Sequence, residues 1–149
     1  SNWAEKGMNY QKKLIDLVDE DTNAFNKIME AYRMPKTNKE EEKNRNIAIQ
    51  VATKHAILTP FNVMELSYQS MEVMKAMSDI GNPNSVTDAG VGALCARTAV
   101  LGAFLNVKIN CGDCDDKQFT DDILKKGEEL VKKTCSLEEE ILRITNSKI

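Results

Sequence analysis

Residues 85–110, SVTDAGVGALCARTAVLGAFLNVKIN, carry a single charge between Ala89 and Val107, that of Arg97. Small residues recur through the stretch: Ala89, Gly90, Gly92, Ala93, Ala96, Ala99, Gly102 and Ala103. Read as one helix, each internal glycine costs about 1 kcal/mol relative to alanine. Close approach of neighbouring backbones is the natural compensation. A helix that is apolar all round belongs at the centre of its assembly. The stretch is as long as a membrane span of about 20 residues, but Arg97 and the abundant Gly and Ala point to a buried helix instead.

The flanking sequence supplies the rest of the fold. Upstream, Gly81-Asn82-Pro83-Asn84 is a strong stop signal. It closes a helix expected from about Lys39 to Ile80, with stripes at Ile47, Val51, Leu58 and at Val63, Leu66, Met71, Met74. Pro60 lies inside that helix, removes one backbone hydrogen bond and predicts a kink. Thr37 or Asn38 is placed to cap its start, with Glu40 and Glu41 near the positive helix end. Before it, Met34-Pro35-Lys36 ends a first helix of about Ala4 to Tyr32, because the residue before a proline disfavours helix. Leu14, Val18, Phe25, Ile28 and Tyr32 form its apparent core stripe, with Leu17 and Met29 beside them. Downstream, Cys111–Asp116 is a polar loop, and a fourth helix runs from about Lys117 to Asn146. Phe119, Ile123, Leu130, Leu137, Ile141 and Ile144 share one of its faces. The expectation is an all-α, antiparallel up-and-down bundle of four long helices joined by short loops.

Composition narrows the function classes. The 149 residues suit a single domain. With 42% hydrophobic and 29% charged residues the chain is too apolar for disorder, and its few Gly and Pro argue against an all-β fold. A net charge of -3 makes nucleic acid a poor partner, and no membrane span is expected. Four cysteines in a chain of this length are no disulfide scaffold, which suggests a reducing, cytoplasmic setting. Cys111-x-x-Cys114 lacks the second Cys/His pair of a zinc site and the βαβ context of a redox motif. The runs Glu40-Glu41-Glu42 and Glu138-Glu139-Glu140 read as solvated helix faces.

A few polar residues interrupt the pattern. Asp21 falls within the stripe of the first helix, three residues after Val18 and four before Phe25, so its carboxylate is expected to be partly buried. Such a group is either paired or a general acid–base with a raised pKa. Asp19 and Glu20 beside it are expected to face solvent. Asp88 follows Ser85 by three residues, a capping-box spacing, at a helix end that also suits an anionic ligand group. The Asn82 corner adds polar groups there. Asn106 and Asn110 lie on the line through Gly92, Cys95, Ala99 and Gly102, and either bind backbone of a neighbouring helix or line a cavity. His55, the only histidine, reads as a satisfied, partly buried side chain.

Leu17-Val18-Asp19-Glu20-Asp21-Thr22-Asn23-Ala24-Phe25, then Arg33-Met34-Pro35-Lys36, Gly81 through Val91, and Gly102 through Asn110 together resemble the formiminotransferase-cyclodeaminase C-terminal family. The resemblance covers nearly the whole chain in order. It implies an all-helical fold, a homodimer with a folate site near the subunit interface, and no metal or cofactor beyond the tetrahydrofolate substrate. The implied activity is an ammonia lyase of one-carbon metabolism and histidine degradation, closing 5-formimidoyltetrahydrofolate to 5,10-methenyltetrahydrofolate. A methenyltetrahydrofolate cyclohydrolase on the same scaffold is the alternative. The family's catalytic aspartate matches Asp21 in an Asp-x-Asp-x-x-x-Phe motif; Asn82, Asp88 and Asn106 match other characteristic polar positions, and with Asn110, on the same helix line as Asn106, they are the substrate-binding candidates. Arg33 and Lys36 are candidates for pairing with the glutamate tail of the substrate, which is polyglutamylated in many folates. Family members begin with a Pro-Gly-Gly-Gly-Ser-type segment and a further apolar helix, absent from these residues, so the domain is expected to be truncated at its N-terminus. A non-catalytic helical interaction module is the rival of a different class, and it predicts Asp21→Asn to be neutral or stabilising.

Overall fold

In the computed structural model, which describes residues 2–149, four long helices carry almost the whole chain: α1 (Asn2–Arg33), α2 (Lys39–Ile80), α3 (Val86–Cys111) and α4 (Lys117–Asn146), with a 3-10 turn at Pro83–Ser85. The punctuation seen in the sequence sets the boundaries. Asn38 caps α2 by accepting the Glu41 N–H at 2.9 Å, while the Glu41 carboxylate reaches back to the Thr37 N–H at 2.9 Å. Asp116 caps α4 by accepting the Phe119 N–H at 3.1 Å.

Side-chain contacts fix the topology. Arg45 donates to the Tyr32 carbonyl, His55 meets Glu20, and Tyr10 donates to Glu72, so α1 runs antiparallel to α2. Asn110 on Ala56 and Gly92 against Met74 set α3 antiparallel to α2. Gly90 near Thr145 and Gly127 near Phe104 do the same for α4 against α3. α2 packs against each of the other three helices; α1 packs chiefly on α2. The centre of the bundle is therefore α2, and the expectation that α3 occupies it is corrected. With α2 and α4 as its main neighbours, α3 buries one side (Ala93, Ala96, Val100, Ala103, Val107) and leaves Val91, Leu94, Leu101, Leu105 and Ile109 exposed. Two of its glycines serve close approach as expected: a Cβ on Gly92 would stand 3.2 Å from Met74 Cγ, and one on Gly90 would stand 3.1 Å from Thr145 Cγ2. Gly102 faces open space.

The core lies between α2, α3 and α4. Ile57, Met64, Val100, Val107 and Ile123 fill one half, and Met71, Ala93 and Ile141 the other. The stripe on α4 faces inward as its spacing predicts. Ile47, Val51 and Leu58 on α2 do not: they are exposed. Glu138 departs from its expected solvated face. It is buried, with the Arg97 guanidinium of α3 3.9 Å away. Cys111 and Cys114 are both buried free thiols, and burial pushes the Cys111 pKa up, which suits packing rather than reactivity.

α2 continues unbroken through Pro60. Proline has no N–H to give the carbonyl four residues earlier, that of Ala56. The Asn110 side-chain amide of α3 donates to that carbonyl at 2.8 Å. The defect in one helix is thus repaired by its neighbour. Asn110→Ala is expected to cost about 1–3 kcal/mol by orphaning the Ala56 carbonyl. In a Pro60→Ala background the loss should shrink, since residue 60 then supplies its own N–H; urea unfolding of the four variants of this cycle measures it.

Candidate functional site

α1 meets α2 through small residues. Ala24 and Ala31, two helical turns apart, are its buried positions, and Leu14, Leu17 and Ile28 are half-buried beside them. The expected stripe is corrected here: Val18 is 67% exposed, Phe25 61% and Tyr32 48%. Large apolar residues suggested a core face, but alanines let two helices approach closely, and the seam formed on them. Asp21 follows from the same correction. It is exposed, not partly buried, because its neighbours Val18 and Phe25 are themselves uncovered.

The seam has two flanks. Along one runs a groove with two hollows, of about 550 and 460 Å³. Lys27 and His55 line the first, and Asp16, Glu20 and Asn62 line the second. With 3.6 residues per turn, Asp21 falls on the opposite flank of α1, together with Phe25 and Ile28. That is the flank toward α3, since Ala56 and Met74, which α3 touches, lie on the same side of α2. Asp21 therefore stands exposed on the side of α1 that faces α3, between Val18 and Phe25.

Helix geometry decides which candidates can meet. Glu20 and Asn110 contact consecutive residues of α2, His55 and Ala56, so Asp21 and the end of α3 bearing Asn106 and Asn110 stand at one level of the bundle. Asn106 is exposed; Asn110 is half-buried and engaged with backbone, the structural one of its two expected roles. Asp88 is exposed in the first turn of α3, 18 residues and about 27 Å from Asn106 along the axis. Beside Asp88, Asn82 caps the 3-10 turn by accepting the Asn84 N–H at 3.0 Å. The capping box is not formed, because Ser85 makes no side-chain cap hydrogen bond. Arg33 and Lys36 are exposed at the far end of α1, with Arg33 half a turn away from the Ala24 side. Within one chain the candidates fall into three separate places.

Sequence reasoning missed one pair. Glu20, expected in solvent, lies 2.8 Å from His55 Nε2, bridging the groove between its two hollows. Their separation in sequence hid it; only the antiparallel pairing of α1 with α2 brings them together. Further along the seam, the Tyr10 hydroxyl donates to Glu72 at 2.8 Å and Lys6 adds a 3.3 Å contact. The Tyr10 hydroxyl, then Lys6, hold the Glu72 pKa below its usual 4.5, while burial and then Glu72 push that of Tyr10 above 10.0.

Comparison with known proteins now adds to the geometry. The chain matches the model of the formiminotransferase-cyclodeaminase family over residues 1–129. It is 32% identical to a methenyltetrahydrofolate cyclohydrolase of Methylorubrum extorquens over 97% of this chain and 70% of that protein. It is 34% identical to a formimidoyltransferase-cyclodeaminase of Dictyostelium discoideum over 86% of this chain, which spans only 23% of that longer protein. In fold it is similar to the crystal structure of a formiminotetrahydrofolate cyclodeaminase from Thermotoga maritima, with a TM-score of 0.79 and 23% identity, covering 94% of this chain and 66% of that one.

The polar ties along the seam carry a pH dependence. The folded state holds the Glu72 pKa below its unfolded value, so this contribution is complete above about pH 4.5 and is lost as pH falls through the folded value. Glu72→Gln is expected to flatten that part of the acid slope in the urea midpoint followed by circular dichroism.

Proposed function

The chain belongs to the formiminotransferase-cyclodeaminase family, and we propose that it acts in folate one-carbon chemistry, closing 5-formimidoyltetrahydrofolate to 5,10-methenyltetrahydrofolate with release of ammonia. The observation that carries this reading is the place of Asp21: a carboxylate between the uncovered apolar side chains of Val18 and Phe25, on the flank of α1 toward α3. A ligand or second copy laid on those side chains excludes water from around the carboxylate.

The chemistry needs one proton carrier. Folate N10 attacks the formimidoyl carbon, a C–N10 bond forms, and the C=N electron pair moves onto the exocyclic nitrogen. The Asp21 carboxyl group gives that nitrogen a proton and takes the one released by N10. Passing this proton to the same nitrogen lets the C–N bond break with ammonia leaving. Holding N10 against the carbon supplies the remaining acceleration. Arg33 and Lys36 are the exposed cations at the end of α1 to which this reading assigns the carboxylates of the glutamate tail.

The Methylorubrum relative, matched across almost the whole chain, favours a second reading on the same residues. There water adds to the methenyl carbon, the C–N5 bond breaks, and Asp21 moves one of the water's protons to N5 while the other passes to solvent, leaving the 10-formyl compound.

The separation of Asp88 and Asn82 from Asp21 has a simple resolution in a homodimer. The exposed line Val91, Leu94, Leu101, Leu105, Ile109 is free of charge, with Asp88 before it and Lys108 near its end. Pairing two copies of α3 antiparallel covers this line and brings each Asp88 toward the Lys108 end of the other copy. The second copy's Asp88 and Asn82 then stand near Asn106, completing one site from two chains.

Two measurements test these readings. Asp21→Asn is expected to lower kcat by about a hundredfold to ten-thousandfold, with helix content unchanged, in assays of methenyl absorbance and ammonia on both substrates; wild-type turnover by the variant overturns the assignment. Co-expressed Asp21→Asn and Asp88→Asn copies, each inactive alone, are expected to recover about a quarter of wild-type activity, since half the dimers pair unlike copies and hold one intact site. A site contained within one chain recovers none.

A further inference from the structure

α1 packs chiefly on α2, and its fully buried residues there are two alanines, so apolar packing fixes the position of its middle turns only weakly. Three polar ties set its register instead: Tyr10 and Lys6 on Glu72, Glu20 on His55, and the Tyr32 carbonyl on Arg45. The first and last lie near the two ends of the helix. The middle one engages the residue immediately before Asp21.

We propose that His55 is a positioning residue, which holds the Asp21 turn of α1 in place through Glu20 without itself carrying a proton in the reaction. This inference rests on the assignment of Asp21 above. The ring is suited to a fixed role. Its Nε2 lies 2.8 Å from the Glu20 carboxylate. Nδ1 is buried with no hydrogen-bond partner, so no second group stands ready to pass a proton through the ring. The ring and Glu20 open onto the groove flank, whereas Asp21 lies on the flank toward α3. His55 and Asp21 therefore face different flanks of the seam, and the influence of His55 on Asp21 travels through the backbone turn that Glu20 and Asp21 share. Misplacing a catalytic group by about 1 Å costs up to roughly a hundredfold in rate, so a tie of small energetic value has a large kinetic one.

His55→Ala, His55→Gln and Glu20→Gln, made in the full chain, test this by two readouts. The first is hydrogen exchange of the α1 amides between residues 17 and 25, which needs no activity. His55→Ala is expected to speed it, leaving α3 and α4 protection unchanged, and His55→Gln, which keeps an N–H donor but cannot titrate, is expected to restore it. The second is steady-state kinetics. His55→Ala should lower kcat about tenfold to a hundredfold with KM within twofold, and His55→Gln should return most of it. Unchanged exchange in His55→Ala overturns the inference, as does a Gln variant as slow as the Ala variant, which would make His55 a proton carrier. A wild-type chain inactive on both folates defeats the functional reading alone, while the exchange result still decides whether His55 orders that turn.

Discussion

A single side-chain amide lets one long helix serve as the axis of this molecule. α2 must touch all three other helices, and Pro60 in its middle leaves the Ala56 carbonyl without its helical donor. A buried carbonyl with no partner costs as much as several apolar contacts give. Asn110 meets that cost from α3, and in doing so fixes the height of α3 against α2. The packing of Met74 on Gly92 and of Thr145 on Gly90 follows from this register, and with it the three-helix core.

Around that core the molecule is uneven. α2, α3 and α4 interlock through Ile57, Met64, Val107 and Ile141, all fully buried, and Gly127 lets the Phe104 ring of α3 lie directly on the α4 backbone. α1 contributes no large, fully buried side chain. Its attachment is a thin alanine seam with polar ties on partly exposed groups, open enough to water to contribute little to stability. What they provide is orientation. Asp21, the residue on which the chemistry is assigned, therefore belongs to the part of the fold with the least packing of its own.

Much of the fold was legible in the sequence because its signals are local. The bounds of α2 and α4 follow from Asn38, Asp116 and the Gly81-Asn82-Pro83-Asn84 corner, each of which acts within one turn of the chain. The faces were less legible. Periodicity gives α1 an apolar side and composition makes α3 apolar all round, but neither tells which side this chain covers, so Val18, Phe25 and Leu105 read as core and are exposed. The pairing of Glu20 with His55 and of Asn110 with Ala56 depends on how helices distant in sequence align. Of the candidate site, the motif around Asp21 was plain in the sequence. Its surroundings, and the distance separating it from Asp88, required the folded helices.

The alanine contact of α1 also bears on what its outer face can meet. α1 packs chiefly on α2, so Val18 and Phe25 beside Asp21 take no part in the core of α2, α3 and α4 and stay uncovered. Two large apolar side chains flanking one carboxylate are thus an adhesive surface that this chain leaves unused.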